Sequence, residues 1–411
     1  MLKSVKNTGV IFGLLALLWH SGLIAANNSF CSYTDTTINK PYYFVGADYR
    51  PGYIFQTADF LRGENGAGKK AGFTQSGHLK FGFKFNKNSH FGQLYPYAYQ
   101  GIGVSYNSFN NTNEIGNPIA VYIFQGSKIA NITQDSKLTL GYEWNFGISF
   151  GWKKFNNADN PFNTVIGSKA NAYINLAILF KYRLNDNYNF TLGIDGTHFS
   201  NGNTQYPNRG LNTIGVRIGA IRQFGKQTKN NNPNNRLNPN SQNRENSLVY
   251  DFSLYGAIKK KWIINDNNGI LIPGKFGVAG LNINPLFCIN RYFKTGLSFD
   301  AQYDESANIR EYLVEGSDYS HESIKFYRQP FSKRFSAGIS ARAEVSMPIF
   351  SVNFGVGYNI IHKGDDTKGF YQVLALKAFV SRQIFLHVGY QLKNFKDPNN
   401  LMIGIGYRIG K

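Results

Sequence analysis

The sequence predicts an all-β fold, an antiparallel barrel that crosses a membrane, and three observations carry that expectation. Aromatic residues make up 16% of the chain, with 26 Tyr and 34 Phe, and glycines number 43. Mean hydropathy is nonetheless only −0.32, and beyond the N-terminus no stretch is apolar enough for a transmembrane helix. Long runs of polar–apolar alternation reconcile the two, because a barrel strand shows only one of its faces to lipid.

Taken in order, Lys3 and Lys6 precede an apolar run from Val10 to Trp19, and the small residues Ala25 and Ala26 follow. That is the layout of a secretory signal peptide over residues 1–26, with the exported chain beginning near Asn27. Strand-like runs then fall near 42–56, 77–86, 95–109, 117–127, 136–155, 167–184, 188–201 and 210–224. Most are ten residues or longer, the length a tilted membrane strand needs. Leu79, Phe81, Phe83 and Phe85 alternate with His78, Lys80, Gly82 and Lys84. Tyr142, Trp144, Phe146, Ile148, Phe150 and Trp152 alternate in the same way with Glu143, Asn145, Gly147, Ser149 and Gly151.

Residues 226–246 interrupt the pattern with Asn, Lys, Gln, Pro and Arg and read as a linker. Strand-like runs return near 248–258, 269–285, 290–303, 332–347, 349–362, 368–383, 384–394 and 401–410, with the polar segment 304–331 as an external loop. Residues 27–225 and 247–411 therefore form either two barrels or one wider barrel of about sixteen strands. The run from Pro207 to Gly219 aligns without gaps to that from Pro398 to Gly410, and Gly196 to Asn201 can be laid on Gly389 to Asn394. Either a degenerate repeat or the shared look of outer-membrane strands produces such a match. In a true repeat, Gln391, Lys393 and Ile403 replace His198, Ser200 and Asn212.

The charge balance, 44 Lys+Arg against 24 Asp+Glu, favours anionic partners. Export excludes nucleic acid and leaves phosphorylated lipid head groups, beside the plainer role of solvating loops and rims. The two cysteines, Cys31 and Cys288, fall in no metal-ligand spacing, and no lipobox precedes Cys31. No metal and no cofactor is expected.

In run 188–201, Phe190, Leu192, Ile194, Gly196, His198 and Ser200 share the apolar, lipid-facing row. Asn212 heads the matching row of the next run, before Ile214, Val216, Ile218 and Ala220. Polar side chains on such a row need a reason, because burying each unpaired costs about 1–3 kcal/mol. Residues two apart lie about 6.5–7 Å from each other along a strand, a gap that serine and imidazole can close by leaning together. Serine is a weak nucleophile until a histidine takes its proton and a third group fixes the ring's tautomer. Asn212 is placed to be that group, and Asn201 or a backbone N–H to stabilise an oxyanion. The plain alternative is a rim His and Ser that bond to head groups or water. Ser76/His78 and His321/Ser323 share the spacing, but the first pair has its histidine on the polar row and the second lies in segment 304–331. With both chain ends in the periplasm, loop 202–209 is external and the pair sits in the outer leaflet.

The stretch His198-Phe199-Ser200-Asn201, then Pro207-Asn208, Gly210 and a polar residue two beyond it, resembles the lipid A 3-O-deacylase (PagL-type) and acyloxyacyl hydrolase family of outer-membrane β-barrel esterases. The likeness covers about 42–225, with its specific motif confined to 196–212. It implies Ser200 as nucleophile, His198 as general base, Asn201 as oxyanion donor with Asn208 as a positioning residue, and no metal. It implies an ester-linked acyl chain of lipid A, in the lipopolysaccharide of the bacterial outer membrane, as substrate. The family's triad acid, a glutamate, falls here at Asn212, and Asp195 and Glu143 stand on the lumen row. Residues 247–411 also exceed that family's single small barrel. Two rivals remain at this point, a porin or transport barrel and an adhesive barrel that binds through 304–331.

Overall fold

The computed structural model describes residues 40–225, 247–265, 268–314, 324–395 and 397–410. The expected signal peptide, the linker at 226–246, Cys31 and the His321/Ser323 pair lie outside the described residues. The chain divides into two units, each built on one barrel.

The first barrel is β1 (Tyr42–Ile54), β2 (Phe73–Lys84), β3 (Tyr99–Ser108), β4 (Gly116–Asn131), β5 (Leu138–Trp152), β6 (Ala170–Arg183), β7 (Tyr188–Ser200) and β8 (Leu211–Gln223). Neighbours pair antiparallel in chain order, and β8 closes on β1. The second unit opens with β9 (Leu248–Lys259), followed by a short hairpin of β10 (Trp262–Asn265) and β11 (Asn268–Leu271). Its barrel continues through β12 (Phe276–Cys288), β13 (Phe293–Asp304), β14 (Phe335–Ser346), β15 (Phe350–Ile361), β16 (Phe370–Phe379), β17 (Ile384–Lys393) and β18 (Asp397–Ile409), which closes on β9. The expected run 269–285 is therefore two strands, broken around Gly274 at φ +101°. The single-turn helices Asp59–Arg62 and His90–Leu94 fall in connections that sequence periodicity could not resolve. A third, Phe331–Arg334, takes the first residues of the expected run 332–347, so that β14 begins at Phe335.

Two closed eight-stranded barrels exclude the wider sixteen-stranded pore. Eight strands leave an interior that side chains can just fill. In the first barrel they fill it with charge. Asp48 accepts salt bridges from Arg50 at 3.0 Å, Lys80 at 3.0 Å and Arg217 at 2.9 Å, while Glu143 meets Arg217 at 2.7 Å and Lys80 at 3.3 Å. Arg50 also reaches Asp195 at 3.2 Å. Each of these charges is buried, and each has an opposite partner, as the low dielectric of a closed lumen requires. A cavity of about 20 Å³ near Arg50, Ser76, Asn107 and Tyr173 has room for roughly one water. The second lumen repeats the solution with Lys377 and Arg408 each bridging Asp251 and Glu344, all at 2.6 Å.

The outward rows are apolar, with aromatic residues toward both ends. Tyr53, Phe55, Phe73 and Tyr106 mark one end of the first barrel and Tyr43, Tyr182, Tyr188 and Phe190 the other. The connections at the first of these ends, residues 55–72, 109–115, 153–169 and 201–210, are longer than most at the other, 85–98, 132–137 and 184–187. Outer-membrane barrels carry long loops outside and short turns in the periplasm, so the end of β7 faces outward from the cell.

Glu143→Gln removes one of the two anions that hold Lys80 and Arg217 in the lumen. A loss of about 3–5 kcal/mol is expected, because buried cations are left under-compensated. It is read as a lower urea midpoint for the barrel refolded into liposomes, and an unchanged midpoint would mean that the lumen network does not stabilise the fold.

Candidate active site

Alternation along β7 places the candidate residues. Asn189, Thr191, Asp195 and Phe199 are buried inside the barrel, while Phe190, Leu192 and Ile194 are exposed on its wall. His198 and Ser200 continue that outward row and are half-buried. On β8 the outward row is Asn212, Ile214, Val216 and Ile218. The register pairs His198 directly with Asn212. Their side chains meet, with His198 Nδ1 2.7 Å from Asn212 Oδ1. A carbonyl oxygen only accepts, so Nδ1 carries the proton and Nε2 is left as the base-capable nitrogen.

Ser200 stands two residues beyond His198 on the same face. Among the described residues no hydrogen bond joins its hydroxyl to the imidazole, so the contact expected from the spacing is open here. The spacing itself is no obstacle. On β2 the same two-residue step brings Ser76 Oγ to 2.9 Å from His78 Nε2. Unliganded catalytic pairs are often long and tighten when substrate binds. Gly210 lies beside both groups. A Cβ there would stand 3.1 Å from His198 Cε1 and 3.7 Å from Ser200 Cβ, and its φ of +70° suits glycine.

The loop 201–210 is tied to itself by asparagines. The Asn201 backbone N–H donates to Asn208 Oδ1 at 3.1 Å, and Asn208 Nδ2 donates to Asn203 Oδ1 at 3.2 Å. The Asn201 carbonyl accepts from Thr204 Oγ1 at 3.0 Å. Asn201 Nδ2 is buried and, among the described residues, has no hydrogen-bond partner. The Asn201 backbone N–H is therefore committed to Asn208, while its side-chain amide is uncommitted. Burial in the loop pushes the Tyr206 phenol above its usual range, which keeps it a neutral hydroxyl.

Phe199, between the two outward residues, points into the barrel and is 1% exposed. Its ring meets Trp152 at 5.0 Å, Tyr173 at 5.4 Å and Phe109 at 5.8 Å between centroids. This aromatic plug anchors the end of β7 from within. Alternation gave Phe199 its direction, but neither it nor Gly210 carried a role in the sequence reading. Asp195 and Glu143 are lumen residues engaged with cations, as their rows predicted.

The second barrel offers no equivalent at the aligned positions. Gln391 is buried on the lumen side of β17 and pairs with Asn400, not with Ile403, which lies opposite Val388 on the exposed row. Laying Gly196–Asn201 on Gly389–Asn394 thus puts a lumen residue where β7 carries an outward one, whereas the ungapped match of Asn212 to Ile403 keeps the outward face. A strand reverses its faces with every one-residue slip.

Residues 126–220 match the family model described as lipid A 3-O-deacylase (PagL), and residues 248–411 match that of the acyloxyacyl hydrolase C-terminal domain. Among solved structures, Neisserial surface protein A aligns at 8% identity over 44% of this chain and 97% of its own, with a TM-score of 0.29. The siderophore receptor PirA from Acinetobacter baumannii aligns at 8% identity over 86% of this chain and 68% of its own, with a TM-score of 0.23. Omp33 from the same organism aligns at 8% identity over 90% of this chain and 99% of its own, with a TM-score of 0.16. No curated protein sequence matches the chain. With one family match in each half, the chain belongs to the lipid A 3-O-deacylase and acyloxyacyl hydrolase family of outer-membrane β-barrel hydrolases.

Proposed function

We propose that the first barrel removes an ester-linked acyl chain from lipid A in the outer leaflet, with Ser200 as nucleophile, His198 as general base and Asn212 as the group that orients it. The observation that carries this reading is the 2.7 Å contact between His198 Nδ1 and Asn212 Oδ1 on the lipid-facing wall. It frees Nε2 to take the Ser200 proton as Oγ attacks the ester carbonyl carbon. Asn201 Nδ2 is the donor for the resulting oxyanion. Collapse of the tetrahedral intermediate expels the sugar oxygen, which receives the proton from Nε2. Water then enters by the reverse sequence, releases the fatty acid and restores Ser200.

The loop end supports a phosphorylated lipid as substrate. Residues 55–72, 109–115, 153–169 and 201–210 hold seven cations (Arg62, Lys69, Lys70, Lys153, Lys154, Lys169, Arg209) against four anions (Asp59, Glu64, Glu114, Asp159). Arg209, within the motif loop, is exposed and only 3.9 Å from Asp59, a loose pair that a phosphate can displace. It borders an open cavity of about 460 Å³ lined also by Phe60, Glu64, Asn65 and Phe162.

Incubation with lipopolysaccharide followed by mass spectrometry of lipid A tests the reading. Loss of one acyl mass is expected with wild type. Ser200→Ala and His198→Ala are each expected to lower the rate by roughly 10³-fold or more, and a serine variant with the wild-type rate ends the proposal.

Asn212→Glu is a sharper test of the third residue. An amide orients the ring, but it lacks the charge that stabilises imidazolium, and an acid in that place is worth up to about 10⁴ in serine protease triads. A rise in kcat of at least roughly tenfold is expected. If Asn212→Glu and Asn212→Ala both keep the wild-type kcat, Asn212 has no part in the mechanism.

A further inference from the structure

Gly196 is the one gap in the outward row of β7. Phe190, Leu192 and Ile194 precede it and His198 and Ser200 follow. The register sets it between Leu176 on β6, 61% exposed, and Ile214 on β8, 47% exposed. Nothing in the fold requires glycine here. Its φ is not in the left-handed region, and a Cβ would meet no atom closer than the Thr213 carbonyl oxygen at 3.9 Å. Most strand glycines of this barrel differ, because a Cβ on Gly82, Gly101, Gly103, Gly147 or Gly193 would stand under 3 Å from a neighbour. A glycine inside a strand weakens it and often marks a bulge, a bend or the close approach of a ligand. The register on both sides of Gly196 is unbroken, and unlike the open Gly77 it shares its row with the candidate reacting groups.

Resting on the esterase reading, we infer that Gly196 is the floor of a notch that receives the distal part of the substrate's acyl chain and so sets chain-length preference. The notch lies on the lipid side, in the same row as the reacting groups. Four residues of strand separate it from Ser200, about 13 Å. An acyl chain held at its ester by Ser200 and running toward the membrane interior passes the imidazole before it reaches Gly196. Leu176 and Ile214 form the sides and Ile194 the far end. Only a long chain extends that far, and a short one ends beside His198.

The test compares p-nitrophenyl palmitate with p-nitrophenyl butyrate, using the full chain refolded in detergent micelles. Valine is favoured in strands and the site is open, so Gly196→Val is expected to fold. Gly77→Val is the control, because Gly77 is an equally open outward glycine, on β2 away from β7, with no atom within 4 Å of its Cβ site. The palmitate-to-butyrate ratio of kcat/KM is expected to fall roughly tenfold or more in Gly196→Val, a change typical of altered apolar pocket contacts. Gly77→Val is expected to keep the wild-type ratio. A folded, active Gly196→Val with an unchanged ratio overturns the notch and leaves the esterase reading standing. A wild type no faster than Ser200→Ala on either ester overturns both.

Discussion

Closure is the constraint on which this protein depends. Within the hydrocarbon layer no water is available to an unpaired backbone N–H or C=O, so a strand-built wall has to close on itself. β1 pairs with β8, and β9 with β18, and no edge is left in either sheet. Closing with eight strands has a second consequence. The lumen is too narrow for a substrate and fills with Asp48, Lys80, Glu143, Arg217 and the aromatic residues around Tyr122. Chemistry on a lipid then has only the outside of the wall and its rim. The position of His198 and Ser200 on the outward row follows from the size of the barrel as much as from the motif.

Much of this was legible in the residues, because alternation is a property of the strand itself. Phe190, Leu192 and Ile194 fix the outward face, and His198 and Ser200 inherit it four and six residues after Ile194. The hairpin order brings Asn212 beside His198, and the observed register makes them direct partners. What was not legible depends on contacts across the barrel. Whether sixteen strands make one ring or two is decided by which strand β8 pairs with, and a pattern shared by all the strands cannot encode that. Of the β10–β11 hairpin, β11 was absorbed into the run 269–285 because Ile270 and Leu271 look like the strand residues after them, and β10 fell between two expected runs. Gly210 was visible only as a motif position, because the space it leaves beside His198 depends on contacts that the sequence does not show. The Gln391 alignment failed for a related reason. Only the flanking Gly and Asn are shared, the connection between β17 and β18 is shorter than loop 201–210, and the faces came out reversed.

The histidine's partner separates two functions that a triad acid usually combines. One is geometric, holding the tautomer with the proton on Nδ1, and the Asn212 oxygen performs it at 2.7 Å. The other is electrostatic, a negative charge facing imidazolium as it forms. Asp195 is too far into the lumen to supply that charge, being bound to Arg50 and to Asn175 Nδ2 at 2.6 Å. Glu143 is held by Arg217, Lys80 and Tyr99. Both acids are on inward rows, and a change of face would need a change of register for the whole strand. In the proposed mechanism Asn212 therefore supplies orientation without charge.

The first barrel contains two Ser–His pairs at the same spacing, and their contrast shows what makes one of them a candidate site. Ser76 and His78 are in hydrogen-bond contact, and His78 Nδ1 is 3.0 Å from the Tyr122 hydroxyl. By local geometry alone that pair is the better formed. Yet His78 is buried in a lumen packed with Tyr122 and Tyr173, and the nearby cavity has room for about one water. An ester-bearing lipid has no route to it. His198 and Ser200 are more loosely arranged, but they open onto the phase where a lipid ester resides, beside an amide that sets the tautomer and a loop with an uncommitted donor in Asn201. Access through the outward face therefore outweighs the quality of the resting hydrogen bond, because substrate binding can tighten a loose pair but cannot empty a filled lumen.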